Sequence, residues 1–545
     1  MEVSIIIIFC FILPIIVLIK PIIEARKNKI TVLEFIKKYK FEILLVFILI
    51  FGSFIRLFGI DRLPNALNVD EASSGYDAFS LMSYGVDRNG NSWPVVLYAW
   101  GSGQSVLYSL ITIPFIAIGG LSELTIRLPM AIIGSMSLYL MYYLLKNIFN
   151  NKKVALLGTF FLAICPWHIM KSRWGMECNL FPDLVLLAVF LLVIGIKNKK
   201  MYMQVFSFII LGISAYSYAT SYLFLPVFVI SILAFLVYKK EFTIKKAIMY
   251  FAIVFIISLP LIIYLMINTF DFEQISILGI TIPKLSINRY EEVTTLFSNN
   301  IFENCVDNLL DTVRLLIIQY DKFDWNALQS HGIFYIVSLP FLIIGIRASI
   351  KKYNKNIYNQ FMNIWMVSAL IVSAFCVINI NRINIIMFPA IYYIILGIYD
   401  VLNKYIILTP WILSLYILSF IMFGYDYMNQ DFNEYFTFSS GLKEVSDYCE
   451  TSNADNIYCY YSFKEPFIYF MFYQEYDVNE YLNTVEFFNE NGTFDNIKSF
   501  GRYNFYLPDN IEENSIVIVP KDSILNYKIE SKKKVSINQF DIYEY

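Results

Sequence analysis

Charged residues are scarce in this 545-residue sequence: they make up 16% of it, against roughly 25% in soluble domains. The charge is also nearly balanced, because 42 Lys and Arg face 44 Asp and Glu. The balance excludes a general basic surface for nucleic acid. The low charge, together with 58% hydrophobic residues, excludes an ordinary soluble enzyme and a disordered chain.

Histidine and cysteine are also few. Two histidines argue against a histidine-based metal site, and the seven scattered cysteines lack the CxxC spacing of zinc modules. Cys449 and Cys459 both lie in the C-terminal segment. The residues leave two alternatives open for them, a disulfide outside the cytoplasm and a pair of small buried thiols.

Long apolar runs are abundant, and they predict a polytopic α-helical membrane protein. A helix needs about 20 apolar residues to cross about 30 Å of hydrocarbon. We predict about 12 spans from such runs. They lie at residues 4–20, 42–60, 129–148, 154–170, 183–197, 202–219, 221–238, 247–267, 331–346, 361–380, 383–401 and 405–424.

Clustered lysine and arginine predict the orientation of these spans, because cytoplasmic loops are enriched in both. The basic clusters lie at 20–40, 146–153, 197–200, 239–246 and 347–355. They share one side of the membrane only if the apolar stretch 103–120 does not cross. Gly103 and Pro114 also favour a broken element there, so we expect an interfacial or re-entrant helix, with both termini outside.

Three long segments then face outward, at 61–128, 268–330 and 425–545. The last is richer in Asp, Glu and Asn, and we predict a small extracytoplasmic α/β domain in it. Expected strands are 456–461, 515–520 and 535–545, and expected helices are 439–451 and 463–474. The predicted organisation is an N-terminal anchor and basic loop (1–41), a membrane domain (42–424) and the outer domain (425–545).

Charged and polar side chains at the outward ends of the spans form the candidate site, since charge near hydrocarbon is costly. The candidates are Asp70, Glu71, Arg127, His168, Lys171, Arg173, Glu177, Asp183, Tyr218, His331 and Arg382. Structural roles are open for many of them. Asp70 and Glu71 could form a helix cap, Lys171 and Arg173 could snorkel, and Glu177 could pair with Arg173. Capping or interfacial roles are equally open for Asp183, His168 and Tyr218.

These residue types suit one kind of chemistry. A carboxylate can act as general base on an acceptor hydroxyl, and Arg, Lys and His can stabilise a leaving phosphate. No glycine-rich phosphate loop is needed if the phosphate arrives on a membrane lipid. The combination favours sugar transfer from a polyprenyl-phosphate sugar, with a lipid groove between spans and an outward acceptor cavity.

Several segments also carry a resemblance to a known family. They are Asp70-Glu71 in the first outer segment, 124–129, 166–173 leading to Glu177, 216–220, and Asn381-Arg382. Together the chain resembles the GT-C superfamily of membrane glycosyltransferases over roughly residues 42–400. The closer resemblance is to glycosyltransferase family 39, which includes protein O-mannosyltransferases and the bacterial aminoarabinose transferase of lipid A.

The resemblance implies an inverting glycosyltransferase on the outer face of the cell membrane. Asp70 matches the catalytic carboxylate, with Glu71 beside it and Glu177 at the second acidic position. We expect Arg382 to bind the donor phosphate, helped by Arg173, Lys171 or His331. The cavity is expected to include His168, Tyr218, Arg127 and Asp183.

The expected partners are a polyprenyl-phosphate sugar donor, the lipid bilayer, and an acceptor protein, glycolipid or cell-wall polymer, with no nucleic acid. The sugar and any need for a divalent cation stay open. Three other functions also stay open: a transporter or flippase for lipid-linked sugars, a polysaccharide ligase or polymerase, and a membrane-anchored binding protein.

Overall fold

The structure is a computed structural model that describes residues 2–100, 102–285, 294–295, 300–431, 438–439, 441–460, 465–488, 497–521 and 533–545. The chain divides into two compact units. The first unit is Met1–Phe58, Met130–Leu259 and Arg289–Gln430. The second unit is Gly59–Pro129, Pro260–Asn288 and Asp431–Tyr545. The C-terminal segment therefore shares a unit with two earlier parts of the chain.

The described part of the first unit is helical, as its apolar runs predict. Its α-helices are Glu2–Ile7, Leu13–Lys27, Val32–Lys38, Lys40–Leu57, Lys152–Ile164, Pro166–Ser172, Glu177–Lys197, Met201–Ser214, Ser221–Tyr238, Ile301–Ile318, Leu339–Lys351, Ile357–Ala374, Met387–Lys404 and Thr409–Met428. A π-helix at Ile8–Ile12 and 3-10 turns at Ile336–Ser338, Asn384–Ile386 and Ile406–Leu408 join some of them. Two further helices, Glu123–Phe149 and Ile244–Phe270, have residues in both units.

The multi-pass membrane architecture is confirmed, but the count of about 12 spans is not. Within the described residues, 8 helices are long and apolar enough to cross a membrane, or 9 if a pair bent by 60° at Cys165 counts as one span. Three predicted spans do not correspond to any of these helices. The helix at 42–60 carries Lys40, Glu42 and Arg56, and the helices in 202–219 and 331–346 have only 14 and 13 residues.

The second unit mixes helices and strands, which confirms an α/β C-terminal segment. Outside that segment it contains the strands Leu67–Asn68, Val96–Ala99, Ser102–Ser105, Ile275–Ile277 and Ile280–Ile282, and the helices Val69–Tyr84 and Leu107–Gly119. The helix Leu107–Gly119 has 13 residues, about 20 Å, which is too short to cross a bilayer. The prediction that 103–120 does not span therefore agrees with its length.

The C-terminal segment contains a seven-stranded mixed sheet. Its strands, in spatial order, are Lys533–Ile537, Phe540–Glu544, Ser515–Pro520, Asn456–Cys459, Tyr503–Asn504, Ile497–Phe500 and Glu486–Phe487. The helices Leu442–Thr451, Phe467–Tyr473 and Val478–Thr484 accompany it, and Phe438–Ser439 pairs with Leu67–Asn68. Cys449 and Cys459 are both buried free thiols.

One apolar core joins this sheet to the helix Val69–Tyr84. Tyr76 of that helix donates from its hydroxyl to the Tyr476 carbonyl at 2.6 Å, and Tyr469 donates to the Leu67 carbonyl at 3.2 Å. A Cβ at Gly75 would lie 2.7 Å from the Phe472 ring, so only glycine allows this approach. The C-terminal segment thus supports the helix that carries Asp70 and Glu71.

Two glycines let the helices Leu339–Lys351 and Met387–Lys404 touch backbone to backbone in the first unit. A Cβ at Gly345 would lie 1.7 Å from the Tyr393 carbonyl oxygen, and one at Gly397 would lie 1.9 Å from the Phe341 carbonyl oxygen. Small residues at such crossings are typical of membrane helix pairs. Any side chain at either glycine must push the helices apart.

We therefore expect Gly397→Ala to destabilise the first unit by about 1–3 kcal/mol or more, because the added methyl group overlaps a rigid backbone carbonyl. The thermal unfolding midpoint in detergent measures this. Gly424→Ala is the matched control, since Gly424 lies in the helix Thr409–Met428 with nothing within 4 Å of its Cβ position. Equal midpoints for the two variants would contradict the proposed contact.

Candidate functional site

The helix Val69–Tyr84 begins at a capping box, which places both acidic candidates in its first turn. The Asn68 side chain accepts from the Asp70 backbone N–H at 2.8 Å, and the Asn68 N–H donates to Glu71 at 3.2 Å. Carboxylates are stabilised near the positive end of a helix dipole. The local sequence therefore determines where Asp70 and Glu71 lie.

Glu71 forms a buried, two-pronged ion pair with Arg127. The Arg127 Nε and Nη2 atoms each lie 2.9 Å from a Glu71 carboxylate oxygen, and both residues are fully buried. The same guanidinium donates to the carbonyls of Ile60, Pro64 and Ala66 at 2.8–2.9 Å. These contacts use all five N–H donors of an arginine. The pair therefore ties the segment before the helix to the helix itself.

Asp70 lies beside Glu71 but is only partly buried. Its Oδ1 accepts a hydrogen bond of 2.8 Å from the indole Nε1 of Trp100. Trp100 lies in the turn between the strands Val96–Ala99 and Ser102–Ser105. The Arg88 guanidinium covers the Trp100 ring at 5.3 Å, and Arg88 forms a buried salt bridge of 3.0 Å with Asp77.

Trp100, Arg88 and Asp77 are not among the site residues predicted from the sequence. One local signal was available, because Asp70 and Asp77 are seven residues apart and so share a face of the helix. Trp100 and Arg88 carry no comparable signal, since a hairpin turn brings Trp100 to Asp70 and a separate loop brings Arg88 to Asp77 through tertiary packing.

In the first unit, Arg382, Tyr218 and Glu177 form a second group. Tyr218 interacts electrostatically with both Arg382 and Glu177. Arg382 is partly exposed, and its Nη1 donates to the Val377 carbonyl at 3.2 Å. Asn384, two residues further on, donates to the carbonyl of Cys178, which follows Glu177. These electrostatic interactions place a cation, a phenol and a carboxylate within reach of one another's fields, without a described hydrogen bond between them.

Asp321 fixes the segment that leads to Arg382. Its carboxylate accepts from the Ile380 N–H at 2.9 Å and from the Asn326 amide at 2.8 Å. Burial raises the pKa of the Asp321 carboxyl, and these hydrogen bonds act in the opposite direction. Asp321 thus supports the Arg382 segment from a loop about 60 residues earlier in the chain.

His168, Lys171 and Asp183 form a third group, which is buried among helices with Arg56. Arg56 donates from Nε to the His168 Nδ1 at 3.1 Å, and Lys171 forms a salt bridge with Asp183. The His168 Nε2 lies 3.8 Å from the Asp183 carboxylate, to which Ser137 also donates. The charged and polar side chains of this group therefore contact one another.

Two further candidate cations have protein partners of their own. The Arg173 Nη1 donates to the backbone carbonyls of Ile55 and Phe58 at 2.6 and 2.8 Å. His331 pairs through Nε2 with the Asp426 carboxylate at 2.6 Å. The predicted set thus separates into groups, with Asp70, Glu71 and Arg127 in the second unit and the other candidates in the first.

In the part of the chain that the structure describes, no group of three or more His, Cys, Asp or Glu side chains could hold a metal ion.

A family model supports the resemblance drawn from the sequence. The model for dolichyl-phosphate-mannose-protein mannosyltransferase matches residues 103–264, less than a third of the chain. No curated protein matches the chain.

Solved structures show what the fold is similar to. An oligosaccharyltransferase of Archaeoglobus fulgidus, tethered to an acceptor peptide, is matched with a TM-score of 0.50 at 12% identity, over 77% of this chain and 58% of that chain. The oligosaccharyltransferase AglB from the same organism is matched with a TM-score of 0.48 at 12% identity, over 77% and 59%. ArnT of Cupriavidus metallidurans is matched with a TM-score of 0.45 at 13% identity, over 66% and 60%.

The chain spans about three fifths of the length of these solved structures. With the family model, the likeness at a TM-score of 0.50 confirms the predicted GT-C resemblance and a GT-C-like fold.

The Glu71–Arg127 pair yields a stability prediction. Glu71→Gln should destabilise the second unit by about 3–5 kcal/mol, because it leaves the buried Arg127 charge unpaired. The double variant Glu71→Gln with Arg127→Met should lose less than the sum of the two single variants, since both groups act in one interaction. Denaturant unfolding of the purified single and double variants measures these changes in the free energy of unfolding, which together form a double-mutant cycle.

Glu486→Gln is the control for that cycle, because Glu486 pairs with Lys498 on an exposed surface and should have little effect. Additive single-variant effects at positions 71 and 127 would show that the two side chains do not stabilise each other.

Proposed function

We propose that this chain is an inverting glycosyltransferase, which moves a sugar from a polyprenyl-phosphate donor to an acceptor hydroxyl on the outer face of the membrane. One observation carries the proposal. Asp70 is partly exposed at the start of a helix, with one carboxylate oxygen held by Trp100 and a buried ion pair directly beside it. A general base needs this combination of access and fixed geometry.

Asp70 is the base in this reaction. It takes the proton of the acceptor hydroxyl while that oxygen forms a bond to the anomeric carbon. The bond between the anomeric carbon and the phosphate oxygen breaks, and its electron pair leaves with the polyprenyl phosphate. A single displacement of this kind inverts the anomeric configuration. Glu71 holds the helix start through Arg127 and does not itself meet the acceptor.

Arg382 is the cation proposed for the donor phosphate, with Tyr218 beside it. Its partial exposure and its position outside a helix support this role. An arginine fork suits phosphate oxygens, because two parallel N–H donors match their geometry. Glu177 is partly exposed at the first position of its helix, and we assign it to orienting the acceptor.

The other predicted site residues are assigned supporting roles in this proposal. Lys171, Asp183 and His168 hold their helices together with Arg56, and Arg173 and His331 fix neighbouring segments. Each of these is at most 7% exposed, so little of its surface can meet a substrate. Arg127 acts on Asp70 only through Glu71.

The comparisons support the substrate class. The matching family model is named for a dolichyl-phosphate-mannose donor and a protein acceptor. The structural relative with a TM-score of 0.50 carries an acceptor peptide. We therefore propose a lipid-phosphate sugar as donor, with a protein, a glycolipid or a cell-wall polymer as acceptor. The outer location rests on the distribution of basic loops.

One observation favours a transporter for lipid-linked sugars as a second candidate. The group of Arg56, His168, Lys171 and Asp183 is fully or almost fully buried among apolar helices, where charged residues commonly mark a substrate path. Their mutual pairing fits a structural role better. Sugar-lipid movement across liposomes without any sugar transfer would favour the transporter.

Asp70→Asn should lower sugar transfer by about 10²–10⁴-fold, because the amide cannot accept the proton. The measurement is release or transfer of radiolabelled sugar from a panel of polyprenyl-phosphate sugars by the purified protein, with a membrane extract as acceptor. Asp61→Asn, in the same outer segment, is the matched control and should keep its activity. Near-full activity of folded Asp70→Asn would remove Asp70 from the role of base.

Arg382→Gln should raise the KM for the donor more than it lowers kcat, because the interaction with the phosphate already exists in the bound donor. Arg314→Gln is its control, since Arg314 pairs with Asp311 on an exposed helix. The same donor panel, used at varied concentration, gives both constants. An unchanged KM would show that a cation other than Arg382 binds the donor phosphate.

A further inference from the structure

The Trp100 indole donates a hydrogen bond of 2.8 Å from Nε1 to the Asp70 Oδ1. We infer that Trp100 is a positioning residue, which orients the Asp70 carboxylate for proton transfer from the acceptor hydroxyl. This inference rests on the proposed function. The indole has a single N–H donor and no acceptor, so its contact with a carboxylate has one defined direction.

The Trp100 ring is itself held in place by a buried charge. Arg88 lies 5.3 Å from the ring centroid and is 1% exposed. Its guanidinium is fixed by Asp77 at 3.0 Å, by the Ser73 hydroxyl at 2.6 Å and by the Tyr98 carbonyl at 3.2 Å. A cation over an indole face is favourable and restrains the ring.

Ser73 and Asp77 belong to the same helix as Asp70. The contacts therefore form a closed path that leaves the helix at Asp70, passes through Trp100 and Arg88, and returns to the helix at Asp77. This path restrains Asp70 in two ways. The helix holds its backbone, and the hydrogen bond from Trp100 holds its carboxylate. This is how an oriented base is built on a rigid element.

The backbone at Trp100 is a second, independent observation. Trp100 has a φ of +55° in the two-residue turn between Ala99 and Ser102, where glycine, asparagine or aspartate is usual. A bulky residue pays an energetic cost in that conformation, and such strain clusters at functional sites. The indole that reaches Asp70 is therefore presented from a turn position that tryptophan rarely occupies.

Two charged pairs lie near Asp70 among the residues that the structure describes. Glu71 is neutralised by Arg127 on one side, and Asp77 is neutralised by Arg88 behind the Trp100 ring. From the helix Phe467–Tyr473, the residue that reaches Trp100 is the uncharged Phe467, with ring centroids 6.3 Å apart. The indole N–H is thus a neutral donor to Asp70, and a donor of this kind favours the ionised form of a carboxylate.

The first test compares pH profiles of kcat/KM for the full-length protein in detergent, with radiolabelled polyprenyl-phosphate mannose as the donor probe. Without the N–H donor the carboxylate is protonated more readily, so its basic form persists only at higher pH. We expect Trp100→Phe to move the acidic limb upward by about one pH unit, which lowers kcat/KM on that limb about tenfold. The KM for the donor should stay unchanged.

Trp93→Phe is the matched control, because it makes the same chemical change in the same outer segment, also at a positive φ. Its profile should coincide with that of the unchanged protein.

A second variant avoids the loss of ring size. Benzothienylalanine at position 100 keeps the shape of tryptophan without its N–H, and it should shift the acidic limb as Trp100→Phe does.

The second test needs no activity. Indole ¹⁵N spectra of the seven tryptophans should contain one resonance that Trp100→Phe removes and Asp70→Asn shifts. A Trp100 resonance that Asp70→Asn leaves unmoved would overturn the inference. So would a benzothienylalanine variant with an unchanged pH profile while Asp70→Asn is inactive. An active Asp70→Asn would instead overturn the proposed role of Asp70 as base, with the indole spectrum still testing the hydrogen bond.

Discussion

The buried ion pair between Glu71 and Arg127 is the interaction on which the acidic end of the second unit depends. Removing two charges from water is costly, and only full hydrogen bonding offsets that cost. Arg127 meets this requirement by using every donor, two on Glu71 and three on backbone carbonyls before the helix. Asp70 stands one residue away, so its position follows from this constraint. The proposed base is partly exposed, whereas its neighbour Glu71 is fully buried.

The C-terminal segment has a role in this arrangement. Its seven-stranded sheet shares one apolar core with the helix that carries Asp70, and Tyr76 and Gly75 contact it directly. The strand Leu67–Asn68, immediately before that helix, pairs with Phe438–Ser439. The C-terminal segment is therefore part of the support for the proposed catalytic residue and is more than an appended module. Its loss should disturb the helix as well as any surface of its own.

Charged residues are scarce in this chain, and burial determines which of them need partners within the protein. A cation away from water needs partners, and most of the candidate cations find them within the protein: Lys171 in Asp183, Arg173 in backbone carbonyls and His331 in Asp426. Arg382 differs, because its guanidinium is partly exposed and lies in a connecting segment. We therefore propose that Arg382 binds the donor phosphate and that the other cations stabilise the fold.

The sequence alone determined the membrane class, most of the spans and the strand Ser515–Pro520, because apolar periodicity acts between residues near in sequence. The predicted count of about 12 spans is not confirmed, since among the described residues apolar runs such as 331–346 form helices shorter than their apolar length. The partners of the charged residues were decided by the tertiary structure. Glu71 and Arg127 are 56 residues apart, and Trp100 reaches Asp70 only because a hairpin turns there. Pairing over such separations leaves no periodic signal, so only the folded chain shows which charges hold the protein together.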